Sequence, residues 1–166
     1  MKPIIYLDMD GVLADFEGWS ATQFGDWKAE IESPEWGRYK EFPNLFLHLP
    51  VMDKADALYN TCLKLVGYDY NRVQILTALP SRSNLMLKNA AKDKIQWARE
   101  NISDNIRVNF GPFAKDKQHH VRHEQDVLID DISRNVEQWE SAGGLGIHHT
   151  SVGQSLYELE CRVGSP

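Results

Sequence analysis

Two aspartates stand one residue apart at the end of the first apolar run of the chain. Asp8 and Asp10 follow Ile4–Leu7 and precede Gly11. Residues i and i+2 of a strand point to the same side, and α/β folds bind ligands at the carboxyl ends of their strands. Two carboxylates this close repel each other unless a positive charge neutralises them, and Mg2+ does so with oxygen ligands. The spacing therefore predicts an acidic site that takes a hard cation.

A second apolar run, Val73–Leu76, is followed by Thr77 and Ala78. A hydroxyl and a backbone N–H at this position can donate hydrogen bonds to a phosphoryl oxygen. A threonine at a strand end is also common for structural reasons alone, so its meaning depends on the neighbouring strands.

A further apolar run, Val127–Ile129, ends in Asp130 and Asp131. An isolated Asp-Asp pair is most often a solvated turn or a helix N-cap. Directly behind a buried strand, and at the same sheet edge as the first acid pair, it favours a functional role. Lys115 and Lys117 lie between these elements, and either could supply the cation that balances phosphate and several acids.

The elements that must position these residues alternate along the chain. Short apolar runs typical of buried parallel strands are Ile4–Leu7, Val73–Leu76, Ile106–Phe110, Val127–Ile129 and Leu145–His148. Helical periodicity is predicted for Asp53–Val66 (stripe Ala57, Leu58, Cys62, Leu65, Val66), Ser83–Asn101 (stripe Leu87, Ala90, Ala91, Ile95, Ala98) and Ser133–Ala142. Strands alternating with helices predict an α/β fold with a doubly wound, parallel, five-stranded Rossmann-like sheet.

Residues 16–49 interrupt this alternation, because they are far longer than a usual strand-to-helix loop. They are rich in aromatic residues, namely Trp19, Phe24, Trp27, Trp36, Tyr39, Phe42 and Phe46. We predict a small helical cap inserted after the first strand, with most rings in its own core and one or two stacked on a flat ligand. The catalytic α/β core would then comprise residues 1–15 and 50–166. We expect Asp15 only to cap or anchor the start of this segment.

Composition limits the function classes. The 166 residues carry a net charge of −6, which argues against a polymeric nucleic-acid partner. No apolar run approaches the length of a membrane span, and the N-terminus reaches an acid too early for a signal peptide. Cys62 and Cys161 have no metal-binding spacing, so we expect free thiols and a cytoplasmic protein.

The order acid-x-acid-Gly, then Thr, then Lys, then Asp-Asp resembles the haloacid dehalogenase-like phosphatase superfamily. The octet from Asp8 to Asp15 with the following Phe16 is similar to the 5'(3')-deoxyribonucleotidase family, including its small phage and bacterial members. Two further stretches are similar to that family, Lys94–Trp97 and Asp126–Asp131.

The resemblance implies a role for each acid. Asp8 would be the nucleophile that attacks phosphorus, and Asp10 would protonate the leaving alcohol and then deprotonate water. Mg2+ would be held by the Asp8 carboxylate, the Asp10 backbone carbonyl and Asp130. Asp131 would support these Mg2+ ligands from outside, or it would bind the ion through a water molecule.

The resemblance also implies the phosphate and substrate contacts. Thr77 and the Ala78 N–H would hold the phosphate together with a lysine, for which Lys117 is favoured over Lys115. Phe16 matches a ring that contacts the nucleoside. Further candidate rings for the base are Trp27, Trp36 and Phe46.

The sequence thus predicts a Mg2+-dependent phosphomonoesterase that hydrolyses (deoxy)ribonucleoside monophosphates through an aspartyl-phosphate. One alternative is the same chemistry on another small phosphoester, such as a sugar phosphate. Another is a non-catalytic binding protein on the same scaffold. The expected partner is a small phosphoester, without a membrane or polymeric nucleic acid, and a homodimer is left open.

Overall fold

The computed structural model describes residues 3–25, 36–80 and 89–164. Their strands form one parallel five-stranded sheet in the order β3-β2-β1-β4-β5. The strands are β1 Ile5–Leu7, β2 Val73–Thr77, β3 Arg107–Phe110, β4 Val127–Asp130 and β5 Leu145–His148. Each predicted strand is confirmed, and the predicted α/β class with it. β1 occupies the centre, so the loop that follows it is flanked by the loops after β2 and β4.

The three central strands β2, β1 and β4 are buried throughout, which explains why they are nearly continuous apolar runs. Ile5 and Leu7 of β1 point to the larger apolar cluster, whereas Tyr6 joins a smaller one on the other face. Leu58 and Trp97 belong to the larger cluster, and Trp139 belongs to the smaller one.

The helices largely follow the predicted periodicity. They are α1 Phe16–Phe24, α2 Ala55–Leu65, α3 Ala90–Asn101, α4 Ser133–Ser141 and α5 Val152–Arg162. Short 3-10 segments cover Trp36–Glu41, Leu45–His48, Tyr70–Arg72 and Ala114–His120.

Some details of the helices differ from the predictions, and one lies outside the described residues. Ala57 is exposed, because the buried stripe of α2 runs through Leu58 and Cys62. In α3, Ala91 and Ile95 are only half-buried, and the predicted start at Ser83, with Leu87, lies outside the described residues. The helix α5 was not predicted.

The chain leaves and re-enters the core of the molecule at one point. Ala14 and Val51 form an antiparallel bridge. The Asp15 N–H donates to the Pro50 carbonyl, and the Met52 N–H donates to the Leu13 carbonyl, both at 2.8 Å. The Asp15 carboxylate accepts the Gly18 N–H at 2.7 Å and caps α1, as expected.

Both cysteines are free thiols, with Cys62 buried and Cys161 exposed. Burial raises the pKa of the Cys62 thiol to about 12, so it is inert at neutral pH. Within the described ranges, no helix has the length and apolar character needed to cross a membrane.

Candidate active site

The turn after β1 places Asp8 at the centre of the sheet edge. The Asp8 N–H donates to the Ile129 carbonyl of β4, which continues the ladder by one residue. The side chain is nearly buried, and its Oδ1 accepts the Met9 N–H at 2.7 Å and lies 2.9 Å from Lys117 Nζ. These contacts fix the orientation of the carboxylate and leave Oδ2 without a hydrogen bond from the described residues.

Three carboxylates converge beside this turn. Ligand atoms of Asp8, Asp130 and Asp131 all lie within 4.8 Å of one another. Among the described residues, Lys117 is the cation in contact with this group, so full ionisation of the three carboxylates would leave two negative charges that the ammonium does not balance. A divalent cation with a preference for oxygen ligands fits this donor set in charge and chemistry.

The crowding of charge is reflected in the pKa values of these acids. Burial raises the pKa of Asp8 to about 7 despite the opposing charge of Lys117, and Asp130 and Asp10 add to the increase. Burial also raises the pKa of Asp131 to about 8, with further contributions from Asp8 and Asp130. Without a bound cation, the cluster therefore resists full ionisation near neutral pH.

Lys117 is the buried lysine of the predicted pair. Its Nζ lies 2.6 Å from Asp130 Oδ2 and 2.9 Å from Asp8 Oδ1, while Lys115 is exposed to solvent. Burial by itself lowers the pKa of Lys117, but Asp130 and Asp8 outweigh it and raise the pKa above its ordinary value. The geometry thus favours Lys117 over Lys115 as the lysine of this site.

Asp130 is held by neighbours that follow it in sequence. Its Oδ1 accepts the Ile132 N–H at 2.9 Å, and the Asn135 amide donates to both oxygens at 3.0 and 3.1 Å. Asn135 is buried in the first turns of α4 and was not identified from the sequence. Asn135 lies two residues after the start of α4 and five residues after Asp130. This spacing could have indicated its contact with the Asp130 carboxylate.

Asp10 diverges from the carboxylate cluster. Its Oδ2 lies 2.5 Å from Nζ of Lys94, which projects from α3 and is 1% exposed. In the sequence, Lys94 lies within a stretch similar to the nucleotidase family, which indicates no role for it. The available indication was its spacing, because Lys94 stands four residues from both Ala90 and Ala98 on the buried face of the helix.

Thr77 ends β2 and is fully buried. Its carbonyl accepts the Gly111 N–H at 3.0 Å, and its Oγ1 lies 2.9 Å from Lys94 Nζ. The Ala78 carbonyl accepts a third hydrogen bond from the same Nζ at 2.9 Å. The structure therefore brings Thr77 and Ala78, two of the three predicted phosphate-binding residues, next to Asp10 through Lys94.

Gly11 allows the turn after β1 to lie close to the Asp131 carboxylate. It has φ +82°, and a Cβ at this position would stand 2.1 Å from Oδ2 of Asp131. Both the backbone conformation and the close approach require glycine here.

The aromatic residues of the segment 16–49 mostly pack against one another. Tyr39 is fully buried between Phe16, Trp19 and Phe24, with ring centroids at 5.5, 6.2 and 5.2 Å. Phe46 is also fully buried, so it presents no surface to a base in this structure. Phe16 is only half-buried and keeps part of its ring available. Trp27 lies outside the described residues, as does the side chain of Trp36.

A cavity of about 970 Å3 opens beside the carboxylates. It lies between the loop after β1 and the starts of α2 and α5. Its lining includes Gly11, Glu17, Lys54, Asp131, His148 and His149.

Comparison with known proteins finds a partial sequence match to a protein named as a nucleotidase. Over 64 residues, 38% of the chain, the sequence is 39% identical to a protein of Vibrio phage KVP40 named "Putative 5'(3')-deoxyribonucleotidase". The predicted resemblance to that family is confirmed. The match spans 35% of the length of this curated relative.

No protein-family model matches the chain. Two solved structures of the HAD domain of effector protein Lem4 from Legionella pneumophila, one an inactive mutant, align with it at a TM-score of 0.49. They are 16% and 14% identical to it, and each alignment covers 98% of this chain and 95% of that domain.

The residues that the nucleotidase resemblance singles out fall into two groups in the structure. Asp8, Asp130, Asp131 and Lys117 meet on the β4 side of β1. Asp10 and Thr77 meet on the β2 side, joined by Lys94.

Proposed function

We propose that the protein is a Mg2+-dependent phosphomonoesterase that hydrolyses small nucleoside monophosphates through an aspartyl-phosphate on Asp8. The observation that carries the proposal is the convergence of Asp8, Asp130 and Asp131 around Lys117, with Asp10 on the opposite side of the same turn. The nucleotidase resemblance supports the same activity.

In the first step, an oxygen of Asp8 attacks phosphorus, and the bond from phosphorus to the ester oxygen breaks. Oδ2 is suited to this attack, since the described hydrogen bonds hold Oδ1. Asp10 gives its proton to the departing alkoxide, which leaves as the alcohol. Thr77 and Lys117 donate hydrogen bonds to the phosphoryl oxygens.

In the second step, Asp10 takes a proton from a water molecule that attacks the phosphorus of the aspartyl-phosphate. The bond between phosphorus and the Asp8 oxygen breaks, which releases phosphate and restores the carboxylate. One carboxyl group thus serves as acid and then as base, and the proton balance closes over the cycle.

The donor set fits Mg2+. We propose that Asp8, Asp130 and the Asp10 carbonyl hold the ion and that Asp131 supports it directly or through water. When bound, Mg2+ neutralises charge on the transferring phosphoryl group.

The substrate class rests on the family resemblance and on Phe16, whose half-buried ring lies at the start of the proposed cap, residues 16–49. The cavity beside the carboxylates has a volume in the range of sites for small organic ligands, about 300–1,000 Å3. We therefore propose a mononucleotide, with deoxyribonucleotides preferred. A polymeric substrate is opposed by the net charge of −6.

Phosphate release from a panel of compounds tests the proposal. Deoxyribonucleoside and ribonucleoside 5'- and 3'-monophosphates are compared with hexose and triose phosphates, each with Mg2+ and with EDTA. We expect Mg2+-dependent release that is fastest with deoxyribonucleotides and absent in Asp8→Asn. If no member of the panel is hydrolysed, the non-catalytic binding protein becomes the better description.

One observation favours the alternative substrate, a sugar phosphate. Among the described residues, the cavity beside the carboxylates is lined by no Phe, Tyr or Trp. Faster turnover of sugar phosphates than of nucleotides in the same panel would establish this alternative. A cytoplasmic location stays a prediction, and a homodimer stays open.

A further inference from the structure

We propose that Lys94 is a positioning residue that orients both the general acid Asp10 and the hydroxyl of Thr77. This inference rests on the proposed phosphatase function and gives a role to Lys94, a residue to which the sequence alone assigns none. The observation behind it is a single buried ammonium that contacts both side chains.

The contacts of Lys94 use its full donor capacity. An ammonium has three N–H donors and no acceptor. The described acceptors are Asp10 Oδ2 at 2.5 Å, Thr77 Oγ1 at 2.9 Å and the Ala78 carbonyl at 2.9 Å. The ring of Phe46 lies 4.5 Å from Nζ and covers another side of the cation. Lys94 therefore has a fixed position rather than a solvated one.

The orientation of Asp10 depends on this lysine. Lys94 is the hydrogen-bond partner of Asp10 Oδ2, while Asp10 Oδ1 is buried and has no partner among the described residues. No other described residue restrains the rotation of the Asp10 carboxylate. Without the Nζ contact, the carboxylate is free to turn away from the leaving oxygen, and a misplaced acid loses much of its effect.

The hydroxyl of Thr77 is oriented by the same contact. Because the ammonium can only donate, Thr77 Oγ1 must be the acceptor. The hydroxyl hydrogen is thereby directed away from Lys94 and remains available to a phosphoryl oxygen. Lys94 thus ties the proton-transfer group to the phosphate-binding group at one nitrogen atom.

The leaving group of the substrate distinguishes this role from simple support of the fold. An alkyl alcohol needs a proton as it departs, whereas 4-nitrophenolate leaves without one. We compare Lys94→Met with the unmodified protein in single-turnover release of a nucleoside from its 5'-monophosphate and of nitrophenolate from 4-nitrophenyl phosphate. Single-turnover conditions isolate the first step, so the base role of Asp10 in the second step does not interfere.

We expect Lys94→Met to slow nucleoside release by roughly 10²-fold, the lower end of general acid catalysis, and nitrophenolate release by less than about 10-fold. Asp10→Asn should show the same selectivity, and adding Lys94→Met to it should change the ratio no further. Thr77→Val, which removes the phosphate-binding hydroxyl, should slow both reactions alike.

Equal losses for the two leaving groups, or no loss, would overturn the role of Lys94. Thermal unfolding monitors the fold. Where Lys94→Met is unfolded, Lys94→Gln takes its place: its side chain is shorter and uncharged, so it should also slow nucleoside release more than nitrophenolate release. If the unmodified protein hydrolyses neither compound while a phosphoester is merely bound, the proposed function fails instead.

Discussion

Two buried lysines divide the turn after β1 into two sides. On the β4 side, Lys117 faces Asp8 and Asp130, with Asp131 close by. On the β2 side, Lys94 faces Asp10 and otherwise meets only neutral acceptors among the described residues. One side carries excess negative charge, and the other is balanced.

The difference indicates what each side requires. The acidic side has more carboxylates than Lys117 can balance, so its charge state and stability should depend on a divalent cation and on pH. The balanced side needs no further ion, so its properties should depend on the orientation of its groups. Two aspartates separated by one residue are thus adapted to different tasks by the partners that the fold supplies.

The largest effect should come from the acidic side. Asp8→Asn removes the proposed nucleophile, and we expect phosphate release to be abolished. Asp10→Asn should instead lose about 10²–10⁴ in rate, because a general acid accelerates but does not form the covalent bond. Phosphate release and thermal unfolding are measured for both, with Asp56→Asn on the exposed face of α2 as the matched control. Activity in Asp8→Asn would contradict the nucleophile assignment.

The next effect separates the two lysines of the Lys115–Lys117 stretch. Lys117→Met leaves three carboxylates without their ammonium, so a phosphate dianion is repelled, and we expect kcat/KM to fall by about 10²–10³. Lys115→Met, at an exposed position, should stay within about 2-fold of the unmodified protein, as surface changes usually do. The reverse order of effects would show that the lysine has been misassigned.

A smaller effect is expected at Gly11, where the turn after β1 lies close to the Asp131 carboxylate. Gly11→Ala places a Cβ against the Asp131 carboxylate and strains a backbone with positive φ. We expect Mg2+ affinity to fall by about 10- to 100-fold, as when an outer-shell partner of a metal site is lost. The Mg2+ affinity is measured from the rise in Tm as Mg2+ is titrated. Gly153→Ala, which has open space around its Cβ, serves as the control.

The smallest effect concerns pH. Without metal, Asp8 and Asp131 have pKa values of about 7 and 8, above the value near 4 of an unfolded carboxyl. Folding therefore takes up protons, and these groups make the metal-free protein less stable as pH rises from about 4 to about 8. Mg2+ competes with those protons, so it should raise Tm more at pH 8 than at pH 6. Equal Tm shifts at both values would contradict the charge imbalance.

The sheet could be predicted because its central strands β2, β1 and β4 are buried throughout and so consist of apolar runs ended by polar residues. The acid pairs could be located at its edge for the same reason. Lys94 could not be given a role, because a lysine in a helix is usually solvated. Its spacing from Ala90 and Ala98 indicates the buried face of α3 but not the groups that it contacts. The helix α5 was missed because its buried residues, Val152, Ser155 and Leu159, are separated by polar ones and include a serine.

The antiparallel bridge between Ala14 and Val51 has an evolutionary consequence. Because the hydrogen bonds from Asp15 and Met52 bring both ends of residues 16–49 to one place, that segment can be lengthened, shortened or exchanged without changing the path of the sheet. Any replacement grafted between these anchors would inherit the same reactive turn. Substrate choice could therefore diversify among relatives while the chemistry is kept.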